Sequence, residues 1–336
     1  MKKNLLLLLG SILFGLLLLE GVVRLLGLAP ESEEISSSGI VFSTNPKLRY
    51  VLKPGGIHHY QDTTIAINPD GYRGELRRPG PAPAGTKRVL CIGDSITMGL
   101  YLEDGETWCA QLEEMLNRDK LLGRKWEVLN LGVIGYNTVN EVELLKEKGL
   151  AYRPDYVVLQ YCFNDHRNRS ELDLRFKQTL VDNHRLVYAL THPLLGILSH
   201  SKLFLLGAVR LQALDPNREE MKNSMRDYYY QGDFVAEGLA EFKQLSERYG
   251  FAPLVLIFPK FEKVDRFAKY AGDYRYVVEP CRKLNLPYIE LLEILRRDYP
   301  EETPYPAFHY DSAHPTARGC AVAAAAVERY LAGANP

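Results

Sequence analysis

The stretch RVLCIGDSITMG, residues 88–99, decides the fold of this chain. It opens on an apolar run that does not alternate with polar residues, which is typical of a parallel strand buried on both faces. The Gly-Asp-Ser that closes the run indicates a sharp turn from that strand into a helix. Ser95 would then lie at the carboxyl end of a buried strand, the edge at which open parallel sheets bind their ligands.

Four further apolar runs repeat this pattern along the chain. We predict strands at 88–92, 126–131, 154–161, 253–258 and 287–292. We predict helices at about 105–118, 137–149, 233–250, 266–285 and 314–331. The alternation of such strands with helices indicates a doubly wound, three-layer α/β/α domain around a central parallel five-stranded sheet.

The composition is that of an ordinary globular protein. The 336 residues have room for one large or two modest domains, and 46% of them are apolar and 25% charged. The net charge of −1 gives no support to a nucleic-acid partner or a polybasic membrane patch. Five cysteines are too few and too scattered for a disulfide framework, and Cys91, Cys162 and Cys320 lie in apolar segments, as expected of buried free thiols.

The N-terminal segment predicts a membrane anchor over residues 1–28. Lys2 and Lys3 precede an apolar stretch at 4–28, interrupted by Glu20, that is about long enough to span a bilayer. The two lysines place the N-terminus in the cytoplasm and the rest of the chain outside it. A cleaved signal peptide is the alternative, but its one candidate cleavage site is followed directly by a proline, which favours an uncleaved anchor.

Asp311 and His314 stand three residues apart in HYDSAHPTARG, residues 309–319, before an alanine-rich C-terminal helix. At that spacing both side chains can face one side. A serine at a strand end, with an Asp and a His, supplies the parts of a nucleophilic hydrolase. His314 would take the proton from Ser95, and Asp311 would orient the imidazole. Each motif alone also has a structural explanation, since Gly-Asp-Ser can cap a helix and His-Pro can begin one.

Hydrogen-bond donors follow the predicted strands at the same edge of the sheet. Asn164 follows the strand that ends at 161, and Gly135 follows the strand that ends at 131. The Asn164 amide and the backbone N–H groups of Gly135 and Ser95 can each donate to an oxyanion. The G-x-S-x-G elbow of α/β-hydrolases is not matched, because Thr97 occupies the position of its second glycine.

Taken in order, these blocks resemble the SGNH/GDSL hydrolases, a family named for a Ser, a Gly, an Asn and a His on a flavodoxin-like α/β sheet. The resemblance covers about residues 88–331. It implies Ser95 as the nucleophile, His314 as the base and Asp311 as the residue that orients the base.

The resemblance also implies an oxyanion hole made by the N–H groups of Ser95 and Gly135 and the amide of Asn164. The third block departs from the family pattern, G-x-N-D, because Cys162 stands at the glycine position. This departure can reshape the turn that aims Asn164. Cys162 is not expected to act as the nucleophile instead, because the sequence shows no second base for it.

Three segments fall outside the resemblance: the anchor, a lead-in and an insertion. Residues 29–86 are interpreted as a polar linker and lead-in rich in turn residues, and the hydrolase domain is placed at 87–333. A helical insertion at about 166–232 contains an apolar stretch, 186–211. We interpret that stretch as a lid, an acyl-binding wall or an element on the membrane surface, with core packing of a helical pair as the alternative. A second membrane crossing in this stretch is not expected, because it would put Ser95 and His314 on opposite sides of the bilayer.

These features predict a membrane-anchored, extracytoplasmic serine esterase of a bacterial envelope that works through an acyl-enzyme. O-acylated or O-acetylated envelope glycans and lipid esters are the expected substrates. An O-acyltransferase with the same residues and a non-catalytic scaffold with this fold are the alternatives. No cofactor or metal is expected, because the sequence has no Walker loop, G-x-G-x-x-G or C-x-x-C, and His184, His192 and His200 lack the i, i+4 spacing of helical metal ligands.

Overall fold

The computed structural model of this protein describes residues 2–26, 39–43, 45, 47–48, 50–60, 63–118, 123–163, 165, 201, 203, 233–261, 267–302, 305–311 and 313–333. The chain divides into two compact units. The first comprises Met1–Ile35 and Glu171–Asp227, and the second, which we call the main unit, comprises Ser36–Ser170 and Tyr228–Pro336.

Strands and helices alternate along the described residues. The strands are β1 (Ile40–Phe42), β2 (Tyr50–Leu52), β3 (Ile57–Tyr60), β4 (Thr63–Ala66), β5 (Thr86–Gly93), β6 (Lys125–Gly132), β7 (Tyr156–Tyr161), β8 (Ala252–Ile257) and β9 (Tyr288–Glu290). The helices are α1 (Lys2–Leu25), α2 (Ser95–Met98), α3 (Trp108–Arg118), α4 (Thr138–Glu147), α5 (Asp233–Tyr249), α6 (Phe267–Leu284), α7 (Leu291–Asp298) and α8 (Ala317–Leu331).

A parallel sheet lies at the centre of the main unit. In the described part of the chain it has five strands in the order β6-β5-β7-β8-β9, with every neighbouring pair parallel. This is the flavodoxin-like order, in which the strand order reverses beside the first strand and opens a crevice at the carboxyl ends. The predicted central parallel sheet is therefore confirmed.

Helices cover both faces of this sheet. Val89 and Cys91 of β5 pack on one face with α3, α7 and α8, whereas Leu90 and Ile92 pack on the other with α4, α5 and α6. All four side chains are fully buried. Burial on both faces explains why the strand sequence is continuously apolar rather than alternating.

The main unit begins at Ser36, whereas the sequence analysis interpreted residues 29–86 as a linker and lead-in. This part of the chain forms two antiparallel strand pairs, β1 with β2 and β3 with β4. Four of its apolar side chains, Leu52, Ile65, Ile67 and Tyr72, are at most 3% exposed and belong to the same core cluster as one face of the sheet. The strands are only three or four residues long, too short for a periodic pattern to distinguish them from turns.

The N-terminal helix α1 forms where the sequence predicted an apolar stretch. Glu20, which interrupts that stretch, accepts an ion-paired hydrogen bond from Arg24 at 2.6 Å, and its second oxygen accepts from Ser201 Oγ and the N–H of Leu203. Among the described helices, none has both the length and the apolar character that a membrane span requires. The predicted span at 4–28 is thus not supported.

The predicted insertion at 166–232 lies outside the described residues, apart from Ser201 and Leu203. The interpretations of 186–211 as a lid, an acyl-binding wall, a membrane-surface element or core packing concern that undescribed segment and stay predictions.

Candidate active site

The turn from β5 into α2 presents Ser95 at the carboxyl edge of the sheet. Asp94 caps the helix, since its Oδ1 accepts a hydrogen bond from the N–H of Ile96 at 2.9 Å. The helix is a single turn and ends at Gly99, whose φ of 84° lies in the left-handed region that glycine adopts without strain. Ser95 is therefore the first residue of this short helix, directly after the strand end, with 7% of its surface exposed.

Two glycines allow this turn to pack tightly. A Cβ on Gly93 would lie 2.2 Å from Thr97 Oγ1, and a Cβ on Gly132 would lie 2.2 Å from the backbone N of Met98. Both strand ends thus approach α2 more closely than any side chain would permit. The position of Ser95 thus depends on the close approach of Gly93 to the Thr97 side chain and of Gly132 to the α2 backbone.

Ser95, His314 and Asp311 form a continuous hydrogen-bonded line. Ser95 Oγ lies 2.8 Å from His314 Nε2, and His314 Nδ1 lies 2.7 Å from Asp311 Oδ2. The structure thus brings Ser95 to two residues that lie more than two hundred positions later in the sequence. The geometry allows the imidazole to accept the serine proton while its other nitrogen donates to the carboxylate.

Asp311 also fixes the loop that carries the histidine. Its Oδ1 accepts hydrogen bonds from the N–H groups of Ala313 and His314, each at 2.8 Å. Burial by itself would raise the pKa of Asp311, but these hydrogen bonds, together with that from the imidazole of His314, hold the pKa below its ordinary value. The carboxylate is therefore charged at neutral pH.

Two polar side chains that the sequence analysis did not single out support the nucleophile turn. Gln160 on β7 is fully buried, and its Oε1 accepts from the N–H of Asp94 at 3.2 Å and from Thr97 Oγ1 at 2.9 Å. Asn130 on β6 donates from Nδ2 to the carbonyl of Thr97 at 2.6 Å. Both lie inside predicted strands, and a polar residue at the carboxyl end of an otherwise apolar strand was the available signal.

The turn after β7 is closed by Asp165. Its two carboxylate oxygens accept hydrogen bonds from Thr138 Oγ1 at 2.9 Å and from the N–H of Cys162 at 3.3 Å, while its own N–H donates to the carbonyl of Cys162. Cys162 is buried and forms no disulfide bond, as expected. Asn164, the predicted oxyanion donor between them, lies outside the described residues.

Gly135 follows β6 in the loop that precedes α4. Its φ of 75° lies in the left-handed region, so a side chain there would strain the backbone. The loop conformation therefore favours glycine at this position. A role for Gly135 in binding an oxyanion stays a prediction.

A pair of buried acids lies behind the loops of the site. Glu141 on α4 and Asp165 are both fully buried, and within the described residues neither oxygen of Glu141 has a hydrogen-bond partner. Burial, reinforced by the neighbouring carboxylates, raises the pKa of Glu141 well above its ordinary value and does the same for Asp165. Glu141 is therefore expected to hold its proton over a wide pH range.

Aromatic rings line one side of the site. The ring of Tyr101 meets the imidazole of His314 edge to face, with centroids 5.3 Å apart, and meets the ring of Tyr310 at 5.5 Å. Tyr310 is 53% exposed.

Within the described part of the chain, no cluster of His, Cys, Asp and Glu has the arrangement needed to hold a metal ion.

Comparison with known proteins gives one family match and several similar solved structures. Residues 91–322 match the model of the GDSL-like lipase/acylhydrolase family. Among solved structures, the chain is similar to the lipase/acylhydrolase from Enterococcus faecalis, with 16% identity, a TM-score of 0.45 and coverage of 74% of this chain and 96% of that chain. It is also similar to a catalytic mutant of an acetylxylan esterase from Geobacillus stearothermophilus, with 15% identity, a TM-score of 0.47 and coverage of 74% and 94%. No curated protein matches the chain.

Proposed function

Because this chain belongs to the GDSL-like lipase/acylhydrolase family, it is an ester-hydrolysing enzyme, and we propose that it is a serine esterase with Ser95 as its nucleophile. The observation that carries this proposal is the line of hydrogen bonds from Ser95 Oγ through His314 to Asp311, at 2.8 and 2.7 Å. A serine hydroxyl is a weak nucleophile unless an adjacent base removes its proton, and the line supplies that base and its orienting carboxylate.

The reaction forms and breaks an acyl-enzyme. Ser95 Oγ attacks the carbonyl carbon of the ester while His314 Nε2 takes the hydroxyl proton, and the electrons of the C=O bond move to oxygen. When this oxyanion collapses, the bond to the leaving alkoxy group breaks, and His314 gives it the proton, so that an alcohol departs. Water attacks the acyl group by the same route, releasing a carboxylic acid and restoring Ser95. Asp311, ionised throughout, stabilises the imidazolium in both steps.

The oxyanion is proposed to be bound by the N–H groups of Ser95 and Gly135 and the side-chain amide of Asn164. The three residues follow β5, β6 and β7, whose carboxyl ends are neighbours in the sheet. The N-terminus of α2 adds a favourable dipole for negative charge at Ser95. Loss of one such donor costs on the order of 10²–10³ in rate in enzymes of this kind.

The proposed substrate is an O-acetylated or O-acylated glycan. Tyr310, half exposed beside Tyr101 and close to His314, offers a rigid apolar face next to the reacting atoms, on which a sugar ring can pack. Comparing turnover of an acetylated xylo-oligosaccharide with that of a medium-chain nitrophenyl ester tests this choice. Faster turnover of the medium-chain ester would indicate a lipid ester instead, and acetyl transfer to an added sugar would indicate an acyltransferase.

The enzyme is proposed to associate with the cytoplasmic membrane through α1, with the main unit outside the cytoplasm. Large apolar side chains of α1 are exposed. Among them, Leu7, Phe14, Leu17 and Leu25 are 62–85% exposed. Exposed apolar surface of this kind favours a lipid environment. A chain without residues 1–28 should move from the membrane fraction to the soluble fraction; retention in the membrane fraction would contradict the proposal.

Trapping the acyl-enzyme tests the proposed chemistry. Rapid quenching of the reaction with nitrophenyl acetate, followed by peptide mass spectrometry, should show one acetyl group on the peptide that contains Ser95. The adduct should accumulate in wild type during the burst phase and be missing from Ser95→Ala. Acetylation of another residue with full turnover in Ser95→Ala would overturn the assignment.

A further inference from the structure

Arg73, which the sequence analysis placed in the lead-in, reaches the backbone that follows the nucleophile helix. Only 2% of its surface is exposed. Its Nη1 donates to the carbonyls of Met98 and Gly99 at 2.9 and 2.7 Å, and its Nη2 donates to the carbonyl of Leu102 at 2.6 Å. Its Nε donates to Asp104 Oδ1 at 2.9 Å. One guanidinium thus binds three carbonyls and one carboxylate around residues 98–104.

This geometry suits arginine and no other side chain. A planar guanidinium directs five N–H groups outward in a fixed fork, so one residue can satisfy several acceptors at once. A lysine ammonium has three donors on a single atom and cannot reach the same set of carbonyls. Buried carbonyls left without a donor would destabilise the folded state.

The segment held by Arg73 contains a strained residue. Tyr101 has a φ of 69°, in the left-handed region, which is strained for a residue with a side chain. The hydrogen bonds from Arg73 fall on both sides of it, on Gly99 before and Leu102 after. The hydrogen bonds from Arg73 therefore stabilise a backbone conformation that the segment would not adopt alone.

The strained conformation places the Tyr101 ring against His314. Their ring centroids are 5.3 Å apart and the planes meet at 78°. Asp311 holds the imidazole at Nδ1, and Tyr101 packs against the ring itself. A ring restrained at both places keeps Nε2 directed at Ser95 Oγ.

We propose that Arg73 is a positioning residue of the ester hydrolysis, holding residues 98–102 so that Tyr101 keeps the His314 ring aligned with Ser95. This inference rests on the proposed function of Ser95 and His314. Because Arg73 is buried and acts through the backbone, its loss should lower kcat and leave KM nearly unchanged. A merely structural arginine would affect stability and leave kcat of the folded enzyme as it was.

The test compares Arg73→Lys with Arg88→Lys in the full chain, with nitrophenyl acetate as substrate. Arg88 is a matched control, because it is equally buried and binds the carbonyls of Gly80 and Tyr152 and the carboxylate of Glu127 near the amino end of β5. Both variants should be less stable than wild type. Only Arg73→Lys should lose kcat, by at least about tenfold, with KM within about threefold.

Tyr101 supplies a second pair of variants that keeps the proposal testable if Arg73→Lys fails to fold. Tyr101→Ala should reproduce the loss of kcat, and Tyr101→Phe, which keeps the ring, should restore most of it. Wild-type kcat in folded Arg73→Lys or in Tyr101→Ala would overturn the inference, as would an equal loss of kcat in Arg88→Lys.

The two proposals fail in distinguishable ways. If Ser95→Ala retains wild-type turnover, the reaction does not use Ser95 and the proposed function fails. If Ser95→Ala is inactive while Arg73→Lys and Tyr101→Ala keep wild-type kcat, only the positioning role fails.

Discussion

Asp311 uses its two carboxylate oxygens for different tasks. One oxygen accepts the N–H groups of Ala313 and His314 and so folds the loop, while the other faces the imidazole. The loop therefore cannot form in this way without also orienting His314. Such sharing explains why the two residues occur at a spacing of three in a segment with little regular structure.

Replacing Asp311 by Asn should separate these two tasks. The amide oxygen can still accept the loop N–H groups, but the amide nitrogen would donate to His314 Nδ1 and force the proton onto Nε2, where it blocks the base. We expect kcat to fall on the order of 10²–10⁴, with little change in the free energy of unfolding. Steady-state kinetics and urea unfolding measure the two effects.

Asp298→Asn is the control for this variant, because Asp298 is an ion-paired acid at the end of α7 and lies outside the hydrogen-bonded line. It should keep wild-type kcat. A kcat of Asp311→Asn equal to that of the control would show that the charge of Asp311 has no part in the reaction.

Glu141 provides a pH-dependent prediction. Since the folded protein holds the Glu141 proton to higher pH than the unfolded chain, stability is lost as pH rises above the ordinary value of 4.5 towards the raised pKa. Glu141→Gln does not titrate, so its stability relative to wild type should increase with pH. We expect this gain to grow steadily as the pH is raised from 4.5 to 8.

Glu143, on the same helix, is the control with the opposite sign. Burial would raise its pKa, but the hydrogen bonds from Lys146 and Asn45 and the attraction of Lys146 and Lys47 lower it. Its charged form therefore stabilises the fold above the unfolded pKa, and Glu143→Gln should lose stability relative to wild type as pH rises. Urea unfolding at several pH values measures the stability of both variants relative to wild type. If this relative stability changes with pH in the same direction for both, the account is contradicted.

At the scale of elements, the central strands could be predicted closely because burial on both faces leaves a continuous apolar run. Helix α7 was missed, since the apolar run LPYIEL continues from β9 directly into its first turn. The short strands β1 to β4 were missed for lack of a periodic pattern. Sequence patterns thus identify elements that bury their own residues in regular order. They miss short strands without such a pattern and a helix that follows a strand without a break.

The packing of α2 against β6 predicts a sensitive glycine. In Gly132→Ala the new Cβ would meet backbone atoms of Thr97 and Met98 at 2.6 Å or less, so the helix that carries Ser95 must shift. We expect a loss of about 1–3 kcal/mol in the free energy of unfolding and a lower kcat. Gly105→Ala, where nothing lies within 4 Å of the new Cβ, should change neither quantity. Equal behaviour of the two variants would contradict the packing argument.

At the scale of the whole molecule, the residues before β5 are part of the main unit. Leu48, Leu52, Ile65 and Ile67 are each at most 3% exposed. Burial of such a side chain contributes about 1.5–3 kcal/mol, so the four together reach roughly 6–12 kcal/mol. That is comparable with the entire net stability of a typical domain, about 5–15 kcal/mol.

A chain that begins at residue 87 should therefore fail to fold, whereas a chain that begins at residue 36 should fold and turn over ester. Circular dichroism, cooperative urea unfolding and nitrophenyl acetate hydrolysis compare the two. Cooperative unfolding at the same midpoint, with equal turnover, in the shorter chain would show that the lead-in is dispensable.

The candidate site was predictable where chemistry is carried by short local motifs. Ser95 and the Asp311–His314 pair stand at the ends of predictable elements, so their meeting at one edge of the sheet follows from the strand pattern. Arg73 and Gln160 were not predicted, because their partners lie 25 to 66 positions away and neither belongs to a local pattern. Contacts of that kind depend on tertiary packing, which a single sequence does not display.

The most direct test of the central claim is labelling of the purified full chain with a fluorophosphonate probe, wild type beside Ser95→Ala. The probe reacts with a serine only when a neighbouring base has activated its hydroxyl. We predict that wild type is labelled and that folded Ser95→Ala is not. Equal labelling of both proteins, or no labelling of folded wild type, would contradict the assignment of Ser95 as the activated nucleophile.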